Sequence, residues 1–427
     1  MGDIFLILGG FFLVLSFFVW MELKSKEIKI LVFSWGDREE NLILIDLIND
    51  FRKLNPSISI SLERAPYFKY SQTILACAKD QGPDVIFVEV NNYADFFQKG
   101  FLEPLDSYAS ADGLDFTDYY PSVLNRFTSE GRTYVIPRDT APWCLVYYNK
   151  TAFDEAKVSY PRDDWNWEQF VETALKVQKK SLSGEVLRWG FIDDKDMPTA
   201  WIFGAGGTFA DDEHHPTRWT FAKDPNTLKG IQFRADLIHK YKVTLPPYSV
   251  SGMQENEGSD MFRFGTAAMY LSGLKWTPLF RDIKDFKWDV AMVPRGPGGI
   301  RAFGTGGSGY GISRHSKEKK SAWKLVKYLT SPEAEVKRLA SGLAQPALRK
   351  MANSALFLDQ KSPLNKKILI DAVQYVKFAP LCSNWKEVED IILNGLENVW
   401  NGKESPEEAM KKLRPILLDH PPLVVPN

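Results

Sequence analysis

The sequence predicts an α/β fold, a mostly parallel sheet with helices on both faces. Two observations lead to this class and to the arrangement of its domains. Apolar runs rich in β-branched residues alternate with amphipathic stretches of helical period along the first hundred residues, as in a sheet with crossover helices. The chain of 427 residues also shows no internal repeat and no low-complexity linker. Two domains of this chain are therefore expected to interleave instead of following one another.

Three strand–helix pairs open the pattern. The predicted strands cover 28–35, 58–65 and 83–90, and the predicted helices cover 38–56, 68–80 and 92–100. Ligands of such sheets bind beyond the carboxyl ends of the strands. We therefore expect the residues around Trp35, Tyr67 and Glu89 to lie at a ligand-binding edge.

The later strands and helices alternate less regularly along the chain. Strands are predicted at 134–137, 144–150, 267–273 and 288–294, and helices at 165–180, with Asn166 as the N-cap, and at 225–241. A Gly/Pro-rich stretch covers 295–311. Helices are predicted after it at 317–330, 332–341, 363–377, 385–400 and 405–415.

Residues 4–21 form an uncharged, mostly apolar segment. It is at the short end for a membrane span and long for a signal-peptide core. No basic residue precedes it, and neither a small-residue cleavage site nor a cysteine for lipid attachment follows. We interpret it as an uncleaved membrane anchor, with a signal peptide as the alternative. Lys24, Lys26 and Lys29 after it would favour the cytoplasm for that side.

Composition narrows the function classes. The net charge of −1 and the spread of basic residues give no support for nucleic-acid binding. The three cysteines form no C-x-x-C pair, and no cofactor or metal site is expected. The chain contains 13 tryptophans, which suits a protein that offers flat apolar faces to a ligand.

The stretch "GTGGSGYG" at 304–311 contains G-x-G-x-x-G. A dinucleotide site would need a helix directly after the glycines, whereas "YGIS" reads as a strand and the next helix starts near Ser316. A flexible turn is one interpretation. We favour another, in which bare backbone at Gly306 and Gly307 reaches a polar ligand where a Cβ would obstruct it.

Several separated motifs resemble carbohydrate-binding solute-binding proteins of ABC importers, of the maltose and multiple-sugar type. They are "GRTYVIPRDTAPWCLVYYNKTAFDEA", "DWNWEQFVETALKV", "FRFGTAAMYLSGLKW", "GGSGYGIS" with "KSAWKLVKYLTSPEAEVK", and "NGKESPEEAMKKL". They occur in the family's order and cover about residues 28–415. The chain departs from many relatives at its N-terminus, which shows neither a lipid-attachment cysteine nor a cleavage site.

The resemblance implies a two-lobed, type II periplasmic-binding-protein fold with interleaved lobes. It implies about three crossovers, near 139–143, 292–297 and 330, and a ligand cleft closed by hinge motion. We assign 1–27 to the anchor, 28–140 and 295–330 to lobe 1, and 141–294 and 331–427 to lobe 2. The family also implies an extracytoplasmic location, against the lysine cue, and permease subunits of an ABC importer as partners. We expect a monomer.

A sugar presents apolar ring faces and a fringe of hydroxyls, so aromatics, carboxylates and Arg are its expected partners. In the family the position of Trp276 tends to stack on the ligand. Further candidates come from strand ends, from the first crossover and from the C-terminal motifs: Trp35, Tyr67, Glu89, Asp139, Trp143, Arg349 and Trp385. The packing alternatives stay open, a hinge-packing ring for Trp143 and a helix staple for Trp385 among them.

The predicted function is delivery of a sugar or oligosaccharide to an ABC importer, without catalysis. One alternative keeps the fold with a phosphorylated polyol as ligand, held by Arg349 and the amides of Gly306 and Gly307. Another is a glycoside hydrolase, for which Glu89 and Asp139 are the carboxylate pair.

Overall fold

The protein consists of two lobes, each with its own β-sheet and hydrophobic core. The computed structural model describes residues 27–36, 38–77, 82–194, 198–246 and 257–424. The predicted anchor at residues 4–21 lies outside the described part. No helix within the described ranges is both long and apolar enough to span a bilayer.

The first part of the chain alternates strands and helices as predicted. In chain order it contains β1 (Ile28–Ser34), α1 (Arg38–Leu54), β2 (Ile58–Arg64), α2 (Tyr67–Cys77), β3 (Val85–Glu89), α3 (Tyr93–Gln98), α4 (Asp106–Ala111), α5 (Pro121–Arg126), β4 (Thr128–Ser129), β5 (Arg132–Thr133) and β6 (Val135–Pro142). Strand β1 pairs in parallel with both β2 and β3. Parallel neighbours need crossover connections, which α1 and α2 supply.

The middle of the chain builds the second sheet. It contains β7 (Leu145–Asn149), α6 (Lys150–Ala156), α7 (Trp167–Val177), β8 (Lys179–Lys180), β9 (Val186–Arg188), β10 (Ile192–Asp193), α8 (Pro198–Gly204), α9 (Pro225–His239), α10 (Glu257–Arg263), β11 (Met269–Ser272), α11 (Thr277–Phe280) and β12 (Trp288–Met292). Asn166 caps α7 in a capping box with Gln169, which confirms the predicted cap.

The last part returns to the first sheet and then becomes helical. It contains β13 (Phe303–Ile312), α12 (Lys319–Leu329), α13 (Pro332–Ser341), β14 (Gln345–Pro346), α14 (Arg349–Ala352), α15 (Lys367–Ala372), β15 (Val376–Lys377), α16 (Trp385–Gly395), α17 (Glu397–Trp400) and α18 (Pro406–Asp419). The helix predicted at 363–377 is shorter, because its end turns into a 3-10 turn and then β15.

The two sheets have different topologies. The first has the order β14-β6-β13-β3-β1-β2, with β15 paired to one end of β13, and the second has the order β10-β11-β7-β12. Strand β13 runs antiparallel to both β3 and β6. The glycine stretch is therefore the interior of a ten-residue strand, and neither the flexible turn nor a phosphate-binding loop is present there.

Buried side chains mark where the chain passes between lobes. Ile136 belongs to the first core and Cys144 to the second, and the return lies between Phe303 and Tyr310. The predicted second crossing near 292–297 thus precedes the observed change of core. Ala334 and several later residues also pack in the first core, although the predicted boundaries placed 331–427 in lobe 2. The lobe boundaries themselves remain a proposal.

A third cluster of buried side chains joins the C-terminal helices to the second lobe. It contains residues of α8 and α9 together with residues of α16, α17 and α18. Arg126 of α5, which is 1% exposed, reaches this region from the first lobe. Its guanidinium donates to the carbonyl oxygens of Glu213 (3.1 Å) and Ala379. The two lobes are therefore also tied together away from their crossover strands.

Candidate functional site

Trp143 lies where the first crossover meets the return strand. It follows β6, it is partly exposed, and its amide donates to the carbonyl oxygen of Gly304 (2.9 Å). A Cβ added at Gly304 would stand 2.6 Å from Trp143 Cε3, and one added at Gly306 would stand 3.7 Å from Nε1. The indole is thus packed over the strand backbone, and at Gly304 this close approach requires that no side chain be present.

The glycines of β13 differ in their surroundings. Gly304 makes room for Trp143, whereas a Cβ added at Gly306 would make only ordinary contacts with the indole. Gly307 is buried, its carbonyl oxygen accepts from the Val90 amide (3.0 Å), and an added Cβ would stand 3.2 Å from the carbonyl oxygen of Asp139. Gly306 remains partly exposed, so ligand contact through bare backbone stays a prediction for Gly306, whereas for Gly307 burial opposes it.

Trp276 is held at the edge of the second sheet. It ends the 3-10 helix Leu274–Trp276 directly after β11 and it is partly exposed. Its Nε1 donates to Ser272 Oγ (3.0 Å), and the Lys275 ammonium lies 4.9 Å from the ring centroid. The indole is therefore fixed by one polar contact at its edge and one cation near its ring.

Trp143 lies close to the turn that carries Trp276. Gly273 stands at the start of the turn that ends in Trp276, and a Cβ added to it would meet Trp143 Cδ1 at 3.5 Å. The buried Tyr147 hydroxyl donates to the Gly273 carbonyl oxygen (2.9 Å) and so fixes this turn to β7. The tertiary structure thus places Trp143 against the start of the turn that ends in Trp276.

A carboxylate outside the predicted set stands behind Trp276. Asp194 follows β10, and its Oδ2 accepts from the Tyr270 hydroxyl (2.7 Å) and from Ser272 Oγ (3.3 Å). Burial raises the pKa of Asp194 to about 6, while the hydrogen bond from Tyr270 and the charge of Lys275 oppose that rise. The only sequence signal was an acidic pair, Asp193 and Asp194, at the end of a short apolar run.

The predicted carboxylates Glu89 and Asp139 lie on one row of the first sheet. Ser308 of β13 pairs with Glu89 on one side and with Asp139 on the other, so the three side chains share a face. Two strand spacings, about 10 Å, separate the backbones at Glu89 and Asp139. Glu89 ends β3 and is partly exposed.

The Asp139 carboxylate is engaged within the protein. It is buried, its Oδ1 accepts from the Ser308 amide (2.9 Å), and its Oδ2 accepts from Ser308 Oγ (2.8 Å) and Arg138 Nε (2.7 Å). Burial disfavours the charge of Arg138, but Asp139 and Glu40 raise the pKa of its guanidinium above the ordinary value. Asp139 thus stabilises the irregular pairing of β6 with β13. These internal hydrogen bonds oppose its predicted ligand contact, which stays a prediction.

A protein-family comparison decides the family. The model described as bacterial extracellular solute-binding protein matches residues 35–336, which is well over half of the chain. The chain belongs to this family. A putative binding protein of Brucella abortus is 25% identical over 374 residues, covering 84% of this chain and 85% of the relative.

Two further comparisons agree with this assignment. The multiple sugar-binding protein of Streptococcus mutans is 23% identical and covers 86% of this chain and 85% of its own length. In structure, the solute-binding protein resembles the ABC substrate-binding protein Lmo0181 of Listeria monocytogenes, solved in complex with cycloalternan. The TM-score is 0.82 at 23% identity, covering 92% of this chain and 99% of the Listeria chain. The two-lobed fold expected from the sequence is thereby confirmed.

The other predicted residues of the solute-binding protein lie in varied environments. Trp35 is partly buried against the first core, 5.7 Å from the Phe87 ring. Tyr67 begins α2, but its side chain lies outside the described part. Arg349 is exposed and donates to the carbonyl oxygen of Thr117. These contacts do not bring Arg349 to the two indoles.

The burial of Trp385 opposes its predicted place at the cleft rim. Its side chain is 3% exposed in the third cluster, 5.2 Å from the Phe209 ring and 6.0 Å from the Trp219 ring. The ring packs at the start of α16. This position fits the alternative interpretation better, in which Trp385 anchors its helix. The sequence shows an aromatic residue beside a helix start, but it carries no signal for the packing partners of the ring, which come from the second lobe.

Proposed function

We propose that this solute-binding protein holds a sugar or oligosaccharide between its lobes and delivers it unchanged to an ABC importer. The observation that carries the proposal is that the partly exposed Trp143 lies against the start of the turn that ends in Trp276, which is also partly exposed. Fixed aromatic plates flanked by polar groups suit the faces and hydroxyls of a sugar ring. The Streptococcus relative, named for multiple sugars, supports the same ligand class.

The test is a thermal-shift screen against mono-, di- and oligosaccharides and sugar phosphates, followed by calorimetry on the hits. A bound ligand raises the melting temperature by mass action. Trp276→Ala is expected to weaken binding about fivefold or more, since loss of one aromatic plate costs about 1–3 kcal/mol. Trp189→Ala is the matched control, because Trp189 is also partly exposed but pairs with Ala267, at the other end of the β11 region.

We propose binding without catalysis. The only carboxylate pair suggested by the sequence is Glu89 and Asp139, and both oxygens of Asp139 already accept hydrogen bonds from Arg138 and Ser308. Turnover of a saccharide without saturable, reversible binding would overturn the proposal. For a phosphorylated polyol, no hydrogen bond among the described residues joins Arg349 to Gly306 or Gly307, so the structure adds no observation in favour of that alternative.

We also propose that the protein works outside the cytoplasm, tethered through residues 4–21, as a monomer that meets permease subunits of the importer. The extracellular family supports the location, and the apolar N-terminal sequence supports the tether. The full chain should sediment with membranes, whereas a variant lacking residues 1–26 should not. Light scattering on that variant should give the mass of one chain.

A further inference from the structure

A directional chain of hydrogen bonds starts at the Trp276 indole N–H. An indole N–H only donates, so the contact between Trp276 Nε1 and Ser272 Oγ (3.0 Å) makes the serine an acceptor. The serine proton is then available for Asp194 Oδ2 at 3.3 Å. Tyr270 also donates its hydroxyl proton to Oδ2, at 2.7 Å. The carboxylate is thus the final acceptor of the chain.

Three elements contribute to the surroundings of this carboxylate, whose residue is partly exposed. Asp194 follows β10, while Tyr270 and Ser272 belong to β11 and are 0% exposed. From α10, Gly258 comes so close that an added Cβ would stand 2.8 Å from Asp194 Oδ1 and 2.7 Å from the Tyr270 ring. The hydrogen-bonded chain therefore has little freedom to rearrange.

The charged groups around Asp194 are few in the described part of the chain. Lys275 lowers its pKa and Asp193 raises it. Asp193 is itself paired with Arg234 (3.0 Å), which also donates to the Asp194 carbonyl oxygen (2.9 Å). Lys275 in addition lies near the Trp276 ring, 4.9 Å from its centroid. Backbone, cation and carboxylate together define where the indole stands.

We propose that Asp194 is a positioning residue for the ligand platform, acting through Ser272 to fix the plane in which the Trp276 indole meets a ligand ring. The inference depends on the proposed function only in assuming that a ligand ring stacks on Trp276. The orientation of the indole is a property of the ligand-free protein, so the two can be tested separately.

A pH dependence follows from this arrangement. Both donors point to Oδ2, and the ionised carboxylate accepts them more strongly than the neutral acid. Because burial raises the pKa of Asp194 to about 6, protonation below this pH weakens the contact from Ser272 and loosens the indole. Ligand affinity should therefore fall between pH 7.5 and pH 5.

The first experiment records the indole N–H resonances of the ligand-free protein, with the Trp276 signal assigned through Trp276→Phe. We expect that signal to titrate with a midpoint near pH 6, and both Ser272→Ala and Asp194→Asn to abolish the titration and speed its hydrogen exchange. Asp282→Asn, an exposed carboxylate after α11, should leave it unchanged. A Trp276 signal indifferent to both variants, in proteins whose melting curves remain cooperative, would overturn the proposal.

The second experiment measures maltotriose affinity from pH 5 to pH 8. Asp194→Asn and Ser272→Ala should bind about three- to tenfold more weakly than the parent at pH 7.5, the effect of one lost hydrogen bond, and should lose the pH dependence. A titrating Trp276 signal with unaltered affinity in Trp276→Ala would contradict stacking and leave the positioning role standing. If maltotriose does not bind, that sugar fails as a ligand, and the spectroscopic experiment still decides the positioning role.

Discussion

Alanine substitutions at Gly304 and Gly306 should have opposite outcomes, although the two glycines lie two residues apart on β13. At Gly304 the new Cβ would stand 2.6 Å from Trp143 Cε3 and 3.0 Å from Cζ3 and from Thr199 Oγ1. Ordinary carbon contacts are about 3.5–4 Å, so the indole must shift by roughly 1 Å. The backbone has little room to retreat, because the Trp143 amide donates to the Gly304 carbonyl oxygen (2.9 Å).

The magnitudes follow from two opposing effects. Overpacking of this kind costs about 1–3 kcal/mol, whereas replacing glycine in a strand recovers about 0.5–1 kcal/mol of chain entropy. Gly304→Ala should therefore be less stable by about 1–2 kcal/mol. At Gly306 the nearest atoms to an added Cβ are Ala141 Cβ at 3.5 Å and Trp143 at 3.7 Å, which are ordinary contacts. Gly306→Ala should be neutral or more stable by up to about 1 kcal/mol.

Urea unfolding followed by circular dichroism measures the stabilities, and calorimetry with a sugar from the screen measures affinity. Gly304→Ala should also weaken binding, because it displaces one of the two indole plates. Equal urea midpoints and equal affinities for Gly304→Ala and the parent protein would refute the packing of Trp143 against this glycine. A selective loss of affinity in a stable Gly306→Ala would instead support direct ligand contact by the strand backbone.

Three further substitutions test other contacts. Because burial raises the folded-state pKa of Asp194 from 3.8 to about 6, its contribution to stability is present below pH 4 and is lost as the pH rises through 6, by roughly 3 kcal/mol in total. Asp194→Asn should thus melt higher than the parent protein at pH 8 and similarly at pH 4, and a pH-independent difference would refute this. Arg126→Met should lose about 2–4 kcal/mol in urea unfolding, because the carbonyls of Glu213 and Ala379 lose a buried donor, and Arg126→Lys should not restore it. Asp139→Asn should lose about 1–3 kcal/mol with sugar affinity within twofold, whereas a large loss of affinity in a stable protein would return Asp139 to the ligand contacts.

The order of strands and helices was predictable from local signals. The strand at 28–35 and the helix at 38–56 are observed as Ile28–Ser34 and Arg38–Leu54, because periodicity and the following proline act within a few residues. The Asn166 cap was predictable for the same reason. The structure of the glycine stretch was not predictable. A high glycine content cannot distinguish a turn from a strand against which an aromatic ring from elsewhere in the chain packs.

The candidate site was predictable only in part. Trp276 and Trp143 were proposed from the resemblance and from their place in the chain, and the structure places Trp143 against Gly273, at the start of the turn that ends in Trp276. Asp194 was missed because its partners Tyr270 and Ser272 are far along the chain. The same limit explains Trp385, whose ring is covered by Phe209 and Trp219.

The amino-acid sequence by itself determined the α/β class, the succession of elements and the family, since each depends on short-range patterns and on motifs that survive in linear order. Only the tertiary structure decided which polar groups are bonded within the protein and to which partners. The Asp139 carboxylate turned inward to Arg138 and Ser308, while Asp194 came to lie behind Trp276. The physical reason is that hydrogen-bond partners and burial are set by strands paired across large distances in the chain, and a linear pattern carries no record of those partners.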